Sequence, residues 1–420
     1  MSNPRAPWSP RATSTLYGAA SLLANFLGYL FLVALSRVLG PAEYGAAGAL
    51  LGVGVIGSIL SVSLQLVVAR AVSADSSGGS TTSARFAISL AAATTIVAWA
   101  CTPAVMHYLH LSSPWPSIWV GATLAPMTVA GALMGHLLGR QNFVRLAVAT
   151  VMVSAARLVA ALVTAVAGWG LTGALASLTV ATAGATVLLA RLADVPQWWR
   201  DTHAMWRRDL VDVARAAERV AAFLVLTNLD VLLARHYLPA HEAGIYAFGS
   251  LFAKAGLWGP QFFAVVAFPR LAASPSPTRL YLATAGATAV FGAALVGAAT
   301  LVAEPLIRAL SGEEFVAAAA YAPGFALLGT AFALVNLSLV ASVAVREGLF
   351  GVATWLCALV QVVVVSAWRH DSIGQVLTAC TVIAVCTAAV GGLLTLTRRP
   401  GAAGALPPEV PTPGAAALLG

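Results

Sequence analysis

Charge is what this sequence lacks most. Only 9% of its 420 residues are charged, and lysine occurs once, at Lys254. A soluble domain carries about 25% charged residues. With 60% hydrophobic residues, the chain holds more apolar sequence than a soluble core absorbs. Cysteine is scarce too. Cys101, Cys357, Cys380 and Cys386 all fall in apolar stretches without metal spacing, so they read as small core residues rather than a disulfide framework or a zinc site. There is no Walker motif, so the chain does not itself hydrolyse ATP. No His/Cys/acid cluster has metal spacing, and neither a metal nor a cofactor is expected. His107 and His110 fall in an expected loop without carboxylates and read as surface histidines. No basic domain is present, which excludes nucleic acid as a partner. No cleavable signal is evident, because the first apolar run is too long and continues into a structured turn.

The apolar runs that remain are continuous and about twenty residues long, the length of a membrane-crossing helix. Barrel strands would alternate apolar and polar residues instead, and helices satisfy their own backbone in lipid. The fold class is therefore an all-α polytopic membrane protein. The sequence predicts twelve helices, at 15–38, 44–69, 85–106, 117–138, 144–166, 170–192, 214–236, 243–268, 279–303, 321–344, 349–368 and 373–396. Residues 1–14 form an N-terminal segment and 193–213 a linker, and the proline-bearing tail 398–420 reads as disordered.

Orientation follows from the basic residues. Seventeen lie in the N-terminus, the even-to-odd loops and the C-terminus, against four (Arg37, Arg235, Arg308 and Arg369) in the other loops. By the positive-inside rule both termini are cytoplasmic. Abundant alanine and arginine beside one lysine suggest a GC-rich bacterial genome, hence a bacterial inner membrane. Trp198, Trp199 and Trp206 stand among arginines in the 193–213 linker. That pattern fits an amphipathic helix on the membrane surface and equally a solvated connection.

The linker also divides the chain into like halves. Arg37-Val-Leu-Gly-Pro41-Ala-Glu43-Tyr-Gly45 ends the first helix and begins the second, and His236-Tyr-Leu-Pro239-Ala-His-Glu242-Ala-Gly244 does the same for helices seven and eight. The spacing from Glu43 to Arg70 is 27, and from Glu242 to Arg270 it is 28. Six helices per half give both repeats the same orientation, a parallel pseudo-twofold along the membrane normal. The expected domains are an N-lobe at 15–192 and a C-lobe at 214–397.

The segments LSRVLGPAEYGAAGALLGV (35–53), Gln65-Leu-Val-Val-Ala-Arg70 and NLDVLLARHYLPAHEAGIYAFGS (228–250) resemble the oligosaccharide flippase branch of the multidrug/oligosaccharidyl-lipid/polysaccharide exporter superfamily. The resemblance implies two six-helix lobes forming a V around a central cavity. It also implies a lipid-linked sugar whose headgroup crosses there while its polyprenyl tail stays in lipid. Lipid II flippases of this superfamily usually have fourteen helices and several cations on the first two. Here the first two helices carry no charge at depth, so no functional residue of that branch is carried over.

Ionisable groups inside a membrane cost about 2.5–3.5 kcal/mol on insertion scales and are functional candidates by default. Arg157 and Lys254 both fall near the midplane and suit a cationic cavity that grips a pyrophosphate. The plain alternative for Arg157 is an ion pair bracing its lobe. Asp230, with Asn228 nearby, is a gating or ion-coupling candidate that could pair with Lys254, or else a partner for Arg235. Asn25 and Gln361 are further candidates, with interhelical hydrogen bonding as the alternative they share with Gln65 and Asn336. Arg37 and Arg235 occupy equivalent outer ends, where phosphate release or snorkelling would place them. Gly28, Gly45, Gly48, Gly52, Gly54 and Gly57 favour close helix packing. Pro260 offers either a gating bend or a structural one.

The expected function is a non-enzymatic flippase that moves an anionic lipid-linked oligosaccharide or polysaccharide precursor by alternating access. It would act as a monomer among membrane lipids, alongside glycan-assembly enzymes. A drug/cation antiporter of the same superfamily would want midplane acids, for which Asp230 is the candidate. A membrane polymerase or glycosyltransferase would want an extramembrane catalytic loop. The topology makes a direct prediction. Alkaline phosphatase fused after Leu111 or Gly312 should be active, and after Met205 inactive; the opposite pattern would invert the orientation.

Overall fold

A computed structural model of the chain describes residues 10–74, 84–193, 206–260, 277–344 and 349–397. Among the described residues there are no strands, and each predicted span has a helical counterpart. The helices are α1 (Pro10–Val38), α2 (Pro41–Gly57), α3 (Ile59–Ala74), α4 (Ala84–Ala100), α5 (Thr102–Leu109), α6 (Trp115–Gly139), α7 (Phe143–Ala167) and α8 (Leu171–Leu192). They continue with α9 (Trp206–Tyr237), α10 (Ala240–Trp258), α11 (Pro277–Ser311), α12 (Ala322–Ala344), α13 (Leu349–Trp368) and α14 (Ile373–Leu396), with a 3-10 segment at Glu313–Tyr321. Ten helices or helix pairs are long and apolar enough to cross a membrane, or eleven if the bent α4–α5 pair is one span. The chain is thus a multi-pass membrane protein.

The differences from the sequence expectations have local causes. The second span breaks at Ser58 into α2 and α3, where Gly54, Gly57 and Ser58 supply poor helix formers. The third bends by 48° between α4 and α5, next to Pro103, whose ring removes a backbone donor. The helix expected over 243–268 is described as far as Trp258, with Gly259 still helical in backbone before Pro260. Residues 261–276, with Arg270, lie outside the described residues. Helix α9 starts at Trp206 and runs through the second part of the expected linker, with Asp209 in its first turn, where the helix dipole favours an acid. The first part of the linker and the C-terminal tail lie outside the described residues. Helix α11 reaches Ser311, so Glu304 and Arg308 lie on its last turns rather than in a loop. There Arg308 holds Glu304 at 3.0 Å and Glu313 at 2.7 Å, all three exposed.

The chain forms two compact units. The first comprises residues 1–34, 57–102 and 115–217, and the second 35–56, 103–114 and 218–420. The end of α1, nearly all of α2 and all of α5 but its first residue therefore belong with the second half of the chain. In the first unit α6 is the hub, packed against α3, α4, α7 and α8. In the second, α12 is the hub, packed against α10, α11, α13 and α14. Since α6 is the fourth span of its half and α12 the fourth of the other, both units use one packing scheme, as an internal repeat would.

Small residues set the closest approaches. On α6, Gly131, Gly135 and Gly139 stand against the carbonyls of Ser61, Gln65 and Ala69 on α3. Of the glycines singled out in the sequence, Gly45, Gly48, Gly52 and Gly57 sit at crossings, whereas Gly28 faces open space. A Cβ on Gly131 would lie 2.6 Å from Ser61 O. Gly131→Ala should therefore cost about 1–3 kcal/mol of overpacking, seen as a lower melting temperature of the detergent-solubilised protein. Gly28→Ala should melt with the parent.

Candidate functional site

The second unit gathers four buried polar side chains from four helices. Asp230, on α9, is only 2% exposed. Its Oδ2 accepts a hydrogen bond of 3.3 Å from the Tyr246 hydroxyl on α10. Its Oδ1 has no protein partner. The Tyr246 hydroxyl also meets Cys380 on α14. The Cys380 sulfur in turn accepts from Gln361 Nε2 on α13 at 3.3 Å. Gln361 is fully buried, and its Oε1 is likewise without a protein partner. The result is a polar chain, Asp230–Tyr246–Cys380–Gln361, with an unpaired acceptor oxygen at each end. A buried acceptor left unpaired costs about 1–3 kcal/mol.

Lys254 adds the positive charge. Tyr246, Ser250 and Lys254 follow one another at intervals of four on α10 and so share one face. Lys254 is half-buried, and its Nζ donates to Ser250 Oγ at 3.2 Å. Ser250 Oγ passes the bond on to Ala247 O at 2.6 Å. Lys254 is near enough to Asp230 for an electrostatic interaction, although the ammonium's hydrogen bond goes to the serine. Arg235, the alternative partner left open by the sequence, donates to backbone carbonyls.

The other candidates fall elsewhere. Asn228 is half-buried and donates back to Leu224 O on its own helix at 2.8 Å. Its Cβ side meets the crossing with α2 at Gly52, which makes it a packing residue. Arg157 and Asn25 belong to the first unit, and both are half-buried. Arg157 lies on the same face of α7 as buried Leu146 and Thr164, and as Thr150, which hydrogen-bonds Tyr17 of α1. Arg157 thus points toward packed protein rather than lipid. Arg37 and Arg235 bind backbone carbonyls. Arg37 donates through Nε to Leu310 O and through Nη2 to Ala309 O. Arg235 donates through Nε to Leu109 O at 3.1 Å and through Nη1 to Ala42 O at 3.3 Å. His110, expected as a surface histidine, is exposed and stacks on His236 at 5.2 Å, and His236 stacks on Tyr108 at 4.2 Å.

Sequence reading missed Tyr246 and took Cys380 for filler. The available signal was the interval of four that places Tyr246 and Ser250 on the Lys254 face. Among the described residues no group of His, Cys, Asp or Glu could hold a metal ion.

This arrangement of helices is that of known membrane transporters. One match is a multidrug resistance MATE family transporter of the MOP superfamily in its inward-facing conformation. The TM-score is 0.70 and the identity 14%, over 91% of this chain and 97% of that one. The lipid II flippase MurJ, in an inward closed conformation, matches with TM-score 0.75 and 9% identity over 91% of this chain and 88% of that one. An outward-facing MATE family transporter matches with TM-score 0.63 and 14% identity over 93% and 96% of the two chains. No curated protein matches the chain in sequence. Residues 12–274 match the family described as "Polysaccharide biosynthesis protein". That is more than half of the chain, which therefore belongs to this family.

The charge arrangement predicts a thermodynamic coupling. Lys254→Met leaves Asp230 buried without its cation and should destabilise the protein. Adding Asp230→Asn should recover part of the loss, with a coupling of about 0.5–3 kcal/mol. Additive losses in thermal unfolding would mean that the two charges do not interact.

Proposed function

We propose that this protein is a flippase that moves an anionic lipid-linked oligosaccharide or polysaccharide precursor across the bacterial inner membrane. The observation that carries the reading is the polar constellation around Lys254 and Asp230, held inside an apolar helical bundle of a polysaccharide biosynthesis family member. A fold shared with a lipid II flippase agrees with it. A buried charge has a cost that packing alone would not maintain. Lys254 and Arg157 are each candidate phosphate-binding cations, the guanidinium being suited to a bidentate grip. Arg157 has no hydrogen-bond partner among the described residues, so its donors are available to a ligand.

Asp230 is the switch residue in this scheme. When a substrate phosphate engages Lys254, the carboxylate loses its compensating charge and favours uptake of a proton or another cation at Oδ1. Gln361, at the far end of the same polar chain, is its companion. Asn25 remains a candidate in the first unit. The membrane potential alone favours outward movement of two negative charges by about 4.6 kcal/mol at 100 mV, so a coupling ion would assist a process already downhill. In this reading the termini are cytoplasmic, the protein works as a monomer, and glycan-assembly enzymes supply its substrate.

One observation favours a second reading. Asp230 is a buried carboxylate with an unpaired oxygen, as a drug/cation antiporter needs, and MATE transporters share the fold. The two readings separate experimentally. Lys254→Ala and Arg157→Ala should each lower surface-glycan export at least about tenfold, the cost of one lost charge-assisted contact, with protein levels unchanged. Full export by both variants would end the cationic-site reading. Ethidium efflux that depends on the protein and is lost in Asp230→Asn would select the antiporter.

A further inference from the structure

We propose that the α1–α2 and α9–α10 junctions form a seal locked by two reciprocal arginine caps, and that transport requires both caps to release. The inference rests on the transport reading above. All the contacts concerned lie within the second unit. Arg37 ends α1 and donates into the last turn of α11, at Ala309 O and Leu310 O. Arg235 ends α9 and donates to Leu109 O, the last residue of α5. Helices α1 and α9 are the first spans of the two halves of the chain, and α5 and α11 each complete a third span. Each half's first helix thus caps the third span of the other half.

The chemistry is that of a releasable clamp. Carbonyls in a helix's last turn have no donors within the helix, and they carry the negative end of its dipole. A guanidinium supplies forked donors and a positive charge to such an end. Here its acceptors are carbonyls rather than carboxylates, so release breaks cation-to-dipole bonds and strands no buried charge. The two caps differ in their supports. Beside Arg37, Ser36 and Ser311 share a buried hydrogen bond of 2.8 Å. Beside Arg235, His236 places Nδ1 2.7 Å from Tyr108 O.

Between the caps the helices meet at a close glycine crossing. Gly45 and Gly244, corresponding residues of the two repeats, touch backbone to backbone, and a Cβ on Gly45 would lie 2.7 Å from Gly244 N. Tyr44 packs on Phe315 and Phe248 with ring centroids at 5.4 and 6.0 Å, and all three rings are buried. The glycine crossing and the aromatic contacts bring the junctions together, and the arginine caps brace their ends.

Hydrogen–deuterium exchange on the full chain in lipid nanodiscs tests this without any substrate. In the double variant R37M/R235M, amides of 41–52 and 240–251 should exchange about tenfold faster, while α6 and α8 keep parental rates. Each single variant should loosen the same segments less, and R37K/R235K should fall between the double variant and the parent. Parental exchange at both junctions in the double variant overturns the seal. Should that variant unfold, seen as faster exchange in α6 and α8 too, parental exchange in both single variants overturns it equally. Lost export in Lys254→Ala with unchanged exchange in the arginine variants would keep the transport reading and remove the seal. Loosened junctions with full export in Lys254→Ala would keep the seal and remove the cationic site.

Discussion

A carboxylate buried among apolar helices persists where a compensating cation stands close to it, and in this protein Lys254 fills that role for Asp230. Much of the second unit is arranged around this condition. Helix α10 is the vehicle. It carries Tyr246, Ser250 and Lys254 on one face and packs against the hub helix α12. A helix with this composition is stable in a membrane when protein surrounds it, and thirteen of its nineteen residues are buried. The polar chain onward through Cys380 to Gln361 then ties α9, α13 and α14 to the same constraint.

The internal repeat has consequences at two levels. In packing, α6 and α12 act as equivalent hubs with equivalent neighbours. In chemistry, the repeats have diverged. The first unit offers one half-buried arginine, Arg157, where the second has the uncharged Gln361 near the corresponding depth. The second unit holds Asp230 and Lys254, whereas the first two spans of the chain carry Arg37, Glu43 and Arg70 near their ends and no charge between. At the ends of α1 and α9, Arg37 and Arg235 both donate to backbone carbonyls.

Glycine explains why helices carrying so few interlocking side chains pack closely. Gly131, Gly135 and Gly139 bring α6 onto the backbone of α3, and Gly329 does the same for α12 against Ala253 of α10. Van der Waals contact between backbones replaces the hydrophobic drive that lipid removes. The same device brings Gly45 against Gly244, and the arginine caps brace the ends of that crossing.

The apolar runs and the all-helical membrane class were legible in the sequence, because the length of an apolar run is a local property. Helix ends were legible less well. Pro103 bends a helix through the backbone donor it lacks, and how far it does so depends on what else supports the turn. The partners of the charges were not legible at all. Asp230 had Arg235 only five residues away along the chain, yet Arg235 donates to Leu109 O and Ala42 O, because residues five apart on a helix leave it in different directions. Tyr246 and Cys380 carried no mark in the sequence, since a tyrosine and a cysteine in apolar runs pass for packing residues until four helices bring their polar atoms together. Run length and periodicity fixed which segments cross the membrane. Which buried polar group meets which was decided by the tertiary structure, because helices far apart in sequence supply the partners.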